Sequence, residues 1–390
     1  MENKKYSILF IALYCYTGHL KDIVNHLKEK NPRIDVAILT NKPDDYKELA
    51  DKNVKIYFYN ISSVDWIKIR WLRVLTTKYK QIHFFSKFSK NKRYDIINIH
   101  FANRYMSFVY NYLRYMSNNI VITPWGSDLL RRPKKNLEQL SYLYKKADYV
   151  TLPASSSSPI VRIVLETFKI DPKKLVGSFW GTELVDFAIK KGNSISQDEA
   201  KVHFGLFGRY VITCGYNKQE EQRHKAIIQA IDQVRDQLPN NLTLLFPMTY
   251  GNWTTQANYL EDLKEECKKR ELHAVFVTDF LSVEELYKLR KATDIFIHVQ
   301  TTDAGARSVY EYILCEKKIV QGSWIKYGKF ESYAPLFYFP VNKLDELGMT
   351  IVKAYRSDAI DIPKEVMDIV KSRSWDNKIT QMNNFFMSIV

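Results

Sequence analysis

Residues 299–320 read V-Q-T-T-D-A-G-A-R-S-V-Y-E-Y-I-L-C-E-K-K-I-V, and the pattern changes character within them. The run just ahead, D-I-F-I-H-V at 294–299, has the length and apolar density of a buried strand. Small residues follow at Ala304, Gly305 and Ala306, after which the sequence turns helical. A strand, a tight small-residue turn and a helix make up the repeating unit of a parallel sheet. Asp303 stands at the junction and Glu311 eight positions later, two turns into the helix. Acids so placed can each hold a polyhydroxylated ligand, while free amides at the helix start attract negative charge. The plainer alternative is a capping Asp303 and a solvated Glu311.

The same alternation recurs along the chain. In the second half, strand-like runs at 210–214, 242–246 and 275–277 are interleaved with helical patterns at 225–237, 259–269 and 283–292. In the first half, runs at 8–13, 35–39, 54–59, 96–100, 120–123 and 149–152 alternate with helical patterns at 20–30, 103–116 and 137–146. The polar, Gly-bearing sequence after Asp171 reads as a crossing between domains. The expected fold is α/β, with two doubly wound Rossmann-like domains facing a cleft. Their boundaries are 1–190 and 205–372, with 373–390 a terminal helix returning toward the first domain.

At 390 residues the chain suits two domains of ordinary size. Its net charge of +15 points to an anionic partner. The basic residues concentrate at 66–93, a segment with no acid at all, in which Arg70, Arg73, Thr77 and Lys80 share a helical face. Cations and aromatics on one amphipathic segment suit an anionic bilayer surface. No recognition motif supports nucleic acid as the partner. Four scattered cysteines, Cys15, Cys214, Cys267 and Cys315, fit neither a zinc site nor a disulfide framework and suit a reduced, cytoplasmic setting. The apolar start imitates a signal peptide but runs into an amphipathic helix without a cleavage site, so it reads as a first buried strand.

Strand ends carry the candidate chemistry. After 210–214 comes G-Y-N-K-Q-E-E-Q-R-H-K, in which Gly215, Asn217, Arg223, His224 and Lys225 would suit a diphosphate. Next come Thr249 and Tyr250 in the stiff turn at 246–253, then Asp279 and Phe280 before a helix that Ser282 and Glu285 can cap. Gly305, Ala306, Arg307 and Ser308 complete the set. In the first half, Gly18 follows the first strand, and His19, His100 and Asp128 could each serve as base toward an acceptor hydroxyl. Asp128 equally suits a helix cap, and a histidine at a strand end is more often structural.

The order and content of these loops resemble the two-domain GT-B glycosyltransferases, whose large retaining families carry an acid, seven residues and a Glu. The resemblance implies that Asp303 contacts the transferred sugar and Glu311 the nucleotide ribose. This chain departs from that pattern in having Asp first and Ala304-Gly305-Ala306 after it. The patches at 215–231, 246–252 and 124–129 (P-W-G-S-D-L) are similar to bacterial transferases that add 4-acetamido-4,6-dideoxygalactose to a lipid-linked intermediate. The resemblance also implies a nucleoside-diphosphate-sugar donor bound by the second domain and a lipid-linked or surface glycan acceptor bound by the first. The acid-to-Glu spacing favours retention of configuration, and with no aspartate pair of metal-ligand character no metal or other cofactor is expected. The scattered cysteines and the basic segment suit a cytoplasmic protein peripheral to the inner face of the plasma membrane. The rival expectations are a nucleotide-sugar epimerase of the same fold and a non-catalytic binder of nucleotide sugars or anionic lipid.

Overall fold

A computed structural model describes residues 5–13, 17–61, 64, 66–152, 158–251, 258–327, 329–358 and 360–390. Cys15, Ser155, Ser156, Ser157, Asn252 and Trp253 lie outside these. Contacts divide the chain into two units, Met1–Trp180 with Asp376–Val390, and Gly181–Trp375.

The first unit is built on six strands: β1 (Ser7–Ala12), β2 (Asp35–Thr40), β3 (Val54–Phe58), β4 (Ile96–His100), β5 (Asn119–Thr123) and β6 (Tyr149–Val150). Their order is β3-β2-β1-β4-β5-β6 and every pairing is parallel. Strands covered on both faces read as continuous apolar runs, and Ile8 to Ile11 in β1 and Ile96, Ile97 and Ile99 in β4 are all buried. The chain winds outward to β2 and β3 on one side of β1 and to β4 onward on the other. The β1/β4 boundary is therefore the switch point, where open α/β sheets leave a crevice for ligands. The terminal helix Trp375–Ser388 packs on this unit through its last three turns. The Tyr6 hydroxyl donates to Asn383 at 3.1 Å, and the Phe385 ring lies against Phe179 and Tyr149.

The second unit repeats the plan with β7 (Tyr210–Cys214), β8 (Leu242–Pro247), β9 (Ala274–Val277), β10 (Ile295–His298), β11 (Lys318–Gly322) and β12 (Tyr338–Val341). The order is β12-β11-β10-β7-β8-β9, again all parallel, with the switch point between β7 and β10. Alternate residues serve opposite faces. Ile212, Leu244, Ile295, Ile297 and Val320 join one apolar cluster. Val211, Leu245, Phe296 and Ile319 join the other.

Two readings of the sequence need correction. The polar region after Asp171 is not merely a crossing, since it holds the helices Glu183–Lys191 and Gln197–His203. In the stretch at 299–320 the helix ends at Leu314, and the chain turns through Glu316 at φ +57° into β11. The charged E-K-K at 316–318 disguises that strand, although Lys317 and Lys318 are both buried.

Candidate functional site

The second sheet's switch point is where its polar residues converge. β7 ends at Cys214, and Gly215 continues at φ +66° with its amide donating to the Ile297 carbonyl of β10 at 3.0 Å. A Cβ at Gly215 would stand 2.8 Å from Gln222 Oε1 and 2.9 Å from His224 Nε2, so the loop folds back over its own start. Only glycine fits there. The loop closes at Arg223, whose φ of +61° leads into the helix His224–Gln233.

Gln300, just beyond β10, stitches the two loops together. Its Oε1 accepts from Gln222 Nε2 at 2.8 Å and from the Tyr216 hydroxyl at 3.1 Å. Its carbonyl accepts from Trp324 Nε1 at 2.7 Å, and the Thr301 amide donates to the Glu221 carbonyl. The Arg223 guanidinium stands 5.1 Å from the centre of the Trp324 ring, with no carboxylate partner among the described residues. Burial of Arg223 pushes its pKa down, the signature of a cation short of a counter-charge. Beside it, Gln222 Oε1 and His224 Nε2 are buried without partners among the described residues. His224 Nδ1 is 2.9 Å from the Tyr259 hydroxyl, and burial pulls the ring's pKa down to about 3, so the imidazole is neutral. Buried polar atoms without protein partners beside a cation that lacks a carboxylate are the combination that an anionic, hydrogen-bonding ligand would satisfy.

Asp303 sits at the end of the neighbouring loop, largely buried. Its Oδ1 accepts from the Ala304 amide at 2.7 Å, and its Oδ2 from the Ala306 amide at 3.0 Å and from the Tyr327 hydroxyl. His298 Nε2 is 3.0 Å from the same oxygen. Burial alone would raise this carboxyl's pKa, but His298, Tyr327 and the Ala306 amide together hold it below the usual range. The acid thus organises the loop that presents Gly305 and the helix Arg307–Leu314. Gly305 is exposed at φ +106° with nothing within 4 Å of a would-be Cβ, and the Ser308 hydroxyl in the first turn is buried without a partner. Arg307 reaches the Trp375 ring at 5.6 Å.

Glu311 is placed otherwise than its spacing suggests. Its Oε1 accepts from the Thr182 hydroxyl at 2.9 Å, and its Oε2 from Arg290 Nε and Nη2, both at 3.1 Å. Residues 308–313 are all buried, so the helix turns this face into protein and both oxygens have protein donors. Both oxygens are thus engaged by protein where the resemblance implies a ribose. Lys225 also departs from expectation. His224, Ile227 and Ile228 fill the core side of their helix, which swings Lys225 to the exposed side, 3.5 Å from Asp262.

Asn217 is buried, and its Oδ1 closes a turn by accepting the Gln219 amide at 2.9 Å. The Tyr250 carbonyl accepts from the Lys218 amide at 2.8 Å, which lays the loop bearing Thr249 and Tyr250 alongside the Gly215 loop. Asp279 and Phe280 lie at the end of edge strand β9, exposed and separated from β7 by β8. The capping box of Ser282 and Glu285 beyond them is formed in full.

In the first unit, Gly18 and His19 open the helix Thr17–Lys30 after β1, and His100 ends β4. The His19, Trp125 and Trp180 rings gather there at centroid distances of 5.4–5.9 Å. His100 Nδ1 is 3.1 Å from Trp125 Nε1, which can only donate, so Nε2 carries the proton and gives it to Asn98 Oδ1 at 2.7 Å. With both nitrogens taken and its pKa lowered by burial to about 3, His100 is a structural imidazole rather than a base. Asp128 Oδ1 accepts from the amides of Trp125 and Gly126, so it braces the turn. Its Oδ2 is buried without a partner among the described residues, and burial raises its pKa to about 6.

Sequence reasoning missed Gln300, Tyr327, Arg290 and Trp180. Arg290 leaves a signal, because it lies three residues after the buried Tyr287 on the apolar stripe of the helix Val283–Ala292 and so calls for a buried acid. Gln300 and Tyr327 leave none, since their roles depend on contacts across the sheet.

Residues 7–154 match the model of the family described as glycosyl transferase 4-like. A glycosyltransferase of Methanocaldococcus jannaschii, itself described as uncharacterized, is 24% identical over 328 residues, covering 77% of this chain and 75% of that protein. A glycosyltransferase structure from Rickettsia africae superposes with a TM-score of 0.71 at 15% identity, covering 99% of this chain and 98% of the other. Anabaena HepE, solved with UDP and glucose, gives a TM-score of 0.65 at 14% identity over 98% of this chain and 100% of that one. At these identities the structures establish the GT-B fold.

Proposed function

We propose that this chain is a nucleotide-sugar-dependent glycosyltransferase of the 4-like family, and that it moves its sugar to a hydroxyl of a lipid-linked cell-envelope glycan with retention of configuration. The observation that carries the donor side is Arg223, a half-buried guanidinium without a carboxylate among the described residues, set beside Gly215 at the β7/β10 switch point. Charge developing on the departing diphosphate would be met there by Arg223 and by the backbone near Gly305. Gln222 Oε1 would accept from a ligand hydroxyl, and His224 Nε2 and the Ser308 hydroxyl would take up hydroxyls or phosphate oxygens. Asp303 acts through the loop it braces and is a positioning residue.

On the acceptor side, His19, Trp125 and Trp180 lie at the first sheet's switch point and would hold the acceptor. The structural role of His100 fits a retaining reaction in which the leaving phosphate itself takes the acceptor proton. The basic segment at 66–93 would keep the enzyme at the inner face of the membrane that carries the acceptor.

Thermal denaturation against a panel of nucleoside diphosphates and their sugars, 4-acetamido-4,6-dideoxygalactose donors included, tests this reading. A ligand bound only by the native state raises the melting temperature with occupancy. The expected result is stabilisation by at least one diphosphate, lost in Arg223→Gln. No shift across the panel would dispose of the donor site. Interconversion of a free sugar nucleotide without acceptor would favour an epimerase instead.

A further inference from the structure

The longest helix of the first unit, Arg70–Phe88, carries its apolar residues on the wrong side for a helix serving only its own core. Its C-terminal half is anchored conventionally, with Gln81, Phe85 and Phe88 buried and Phe84 against the Tyr59 ring at 4.9 Å. Its N-terminal half and the residues leading into it are the reverse. Trp66 is 78% exposed, Ile69 52%, Trp71 62%, Leu75 53% and Tyr79 70%. Trp71, Leu75 and Tyr79 are spaced four apart and form one ridge, and Trp66 and Ile69, just ahead of the helix start, are exposed with them. Sequence spacing predicts a basic face with the apolar residues turned away from it. The structure puts the large apolar side chains outermost, while Arg73 and Lys80 are half-buried on the opposite side of the helix; the cations beside the ridge are Lys78, half-buried with its ammonium 4.6 Å from the Phe108 ring centre, and the exposed Lys68.

Isolated exposed hydrophobics are ordinary, but a continuous ridge of this kind marks an interaction surface. The absence of any acid between Trp66 and Arg93 selects an anionic partner, and Trp and Tyr are the side chains that settle at a bilayer's headgroup level. No helix among the described residues is long and apolar enough to cross a membrane, so the geometry is that of a helix lying on one.

We propose that the ridge of Trp66, Ile69, Trp71, Leu75 and Tyr79 inserts into the surface of an anionic lipid bilayer and that its flanking cations select the lipid charge. The aromatics supply the binding and the cations the discrimination. This surface rests on the lipid-linked acceptor for its purpose, while its evidence and its test stand apart from it.

Flotation of the full chain with vesicles of phosphatidylcholine, alone or mixed with phosphatidylglycerol, provides the test, with lipids brominated along the acyl chain reporting insertion by tryptophan quenching. The native chain floats with the mixed vesicles and is quenched. The combined Trp66→Ser, Trp71→Ser and Tyr79→Ser variant binds at least about 100-fold more weakly at an unchanged melting temperature. Lys68→Gln and Lys78→Gln each cost about fivefold, and only on the anionic vesicles. If the combined variant is not folded, Tyr79→Ser alone must still reduce binding. Failure of the native chain to float, undiminished binding by the serine variants, or a ridge-dependent dimer in place of vesicle binding would each overturn the proposal. Donor stabilisation measured on the same variants separates a failure of this surface from a failure of the enzyme, since the ridge lies outside the donor site.

Discussion

Arg290 is a guanidinium with 4% of its surface exposed, and a charge so placed must be matched within bonding distance. Glu311 matches it, the Tyr312 hydroxyl accepts from Nη1 at 3.0 Å, and its pKa is pushed up by Tyr312 and Glu311 despite burial. Glu311 also holds Thr182, whose amide donates to the Arg373 carbonyl at 3.0 Å. The two chain segments that enter and leave the second unit are thereby tied to one carboxylate. Glu311→Ala should therefore destabilise by about 3–5 kcal/mol, the cost of a buried charge left alone. Replacing both partners, Glu311→Leu with Arg290→Met, should recover most of that. Chemical denaturation of the two variants beside the native chain measures it. Stabilisation of the double variant by the donor would then confirm that the acid serves the fold and not the ribose.

Between residue and sheet, the strand-end loops divide into those whose backbone is forced and those whose backbone is free. Gly215 and Gly305 both have φ values that disfavour other residues, but only Gly215 has neighbours that a Cβ would strike. Gly215→Ala should cost about 2–3 kcal/mol and weaken donor binding at least tenfold, because Gln222 and His224 must move. Gly305→Ala meets open space and should pay only the backbone strain, about 1–2 kcal/mol. Comparing melting temperatures and donor shifts for the two variants separates strain from crowding. Ser282→Ala, which removes a complete capping box, should cost about 1 kcal/mol without touching donor binding. These elements are legible in the sequence because apolar runs and glycine-bearing turns are local signals. The strand β10, its turn and the helix start can all be read from residues 294–311. β11 and β12 escape because Lys317 and Lys318 are buried where their charge predicts exposure, Lys318 Nζ bonding the Ala354 and Ser357 carbonyls, and because Pro340 within the second strand reads as a breaker. The partners of Glu311 and His100 are illegible for a related reason. Spacing reveals which face of an element a side chain occupies, but not whether that face meets solvent or another charged group.

For the molecule as a whole, buried titratable groups predict that the two units answer acid differently. His224 in the second unit is held neutral, its pKa lowered by burial from 6.5 to about 3. The unfolded chain therefore binds a proton that the folded chain refuses, and stability falls as pH drops from about 6.5 toward 3. At pH 5 the population ratio should shift about 30-fold against that unit, or ~2 kcal/mol. His100 imposes the same loss on the first unit. There Asp128 works in the opposite sense, because its folded pKa is raised by burial to about 6. The folded chain binds that proton more readily than the unfolded one, so stability is gained as pH falls from about 6 toward 4. The two largely cancel at pH 5, leaving a net loss of about threefold. Hydrogen exchange resolved by peptide, at pH 7 and pH 5 and corrected for intrinsic rates, should show residues 181–375 losing protection well before residues 5–180. Asp128→Asn should remove the compensation and make the first unit as acid-sensitive as the second, while His224→Gln should flatten the response of the second. Equal loss in both units in the native chain would mean that Asp128 is ionised throughout and its buried oxygen is matched by water.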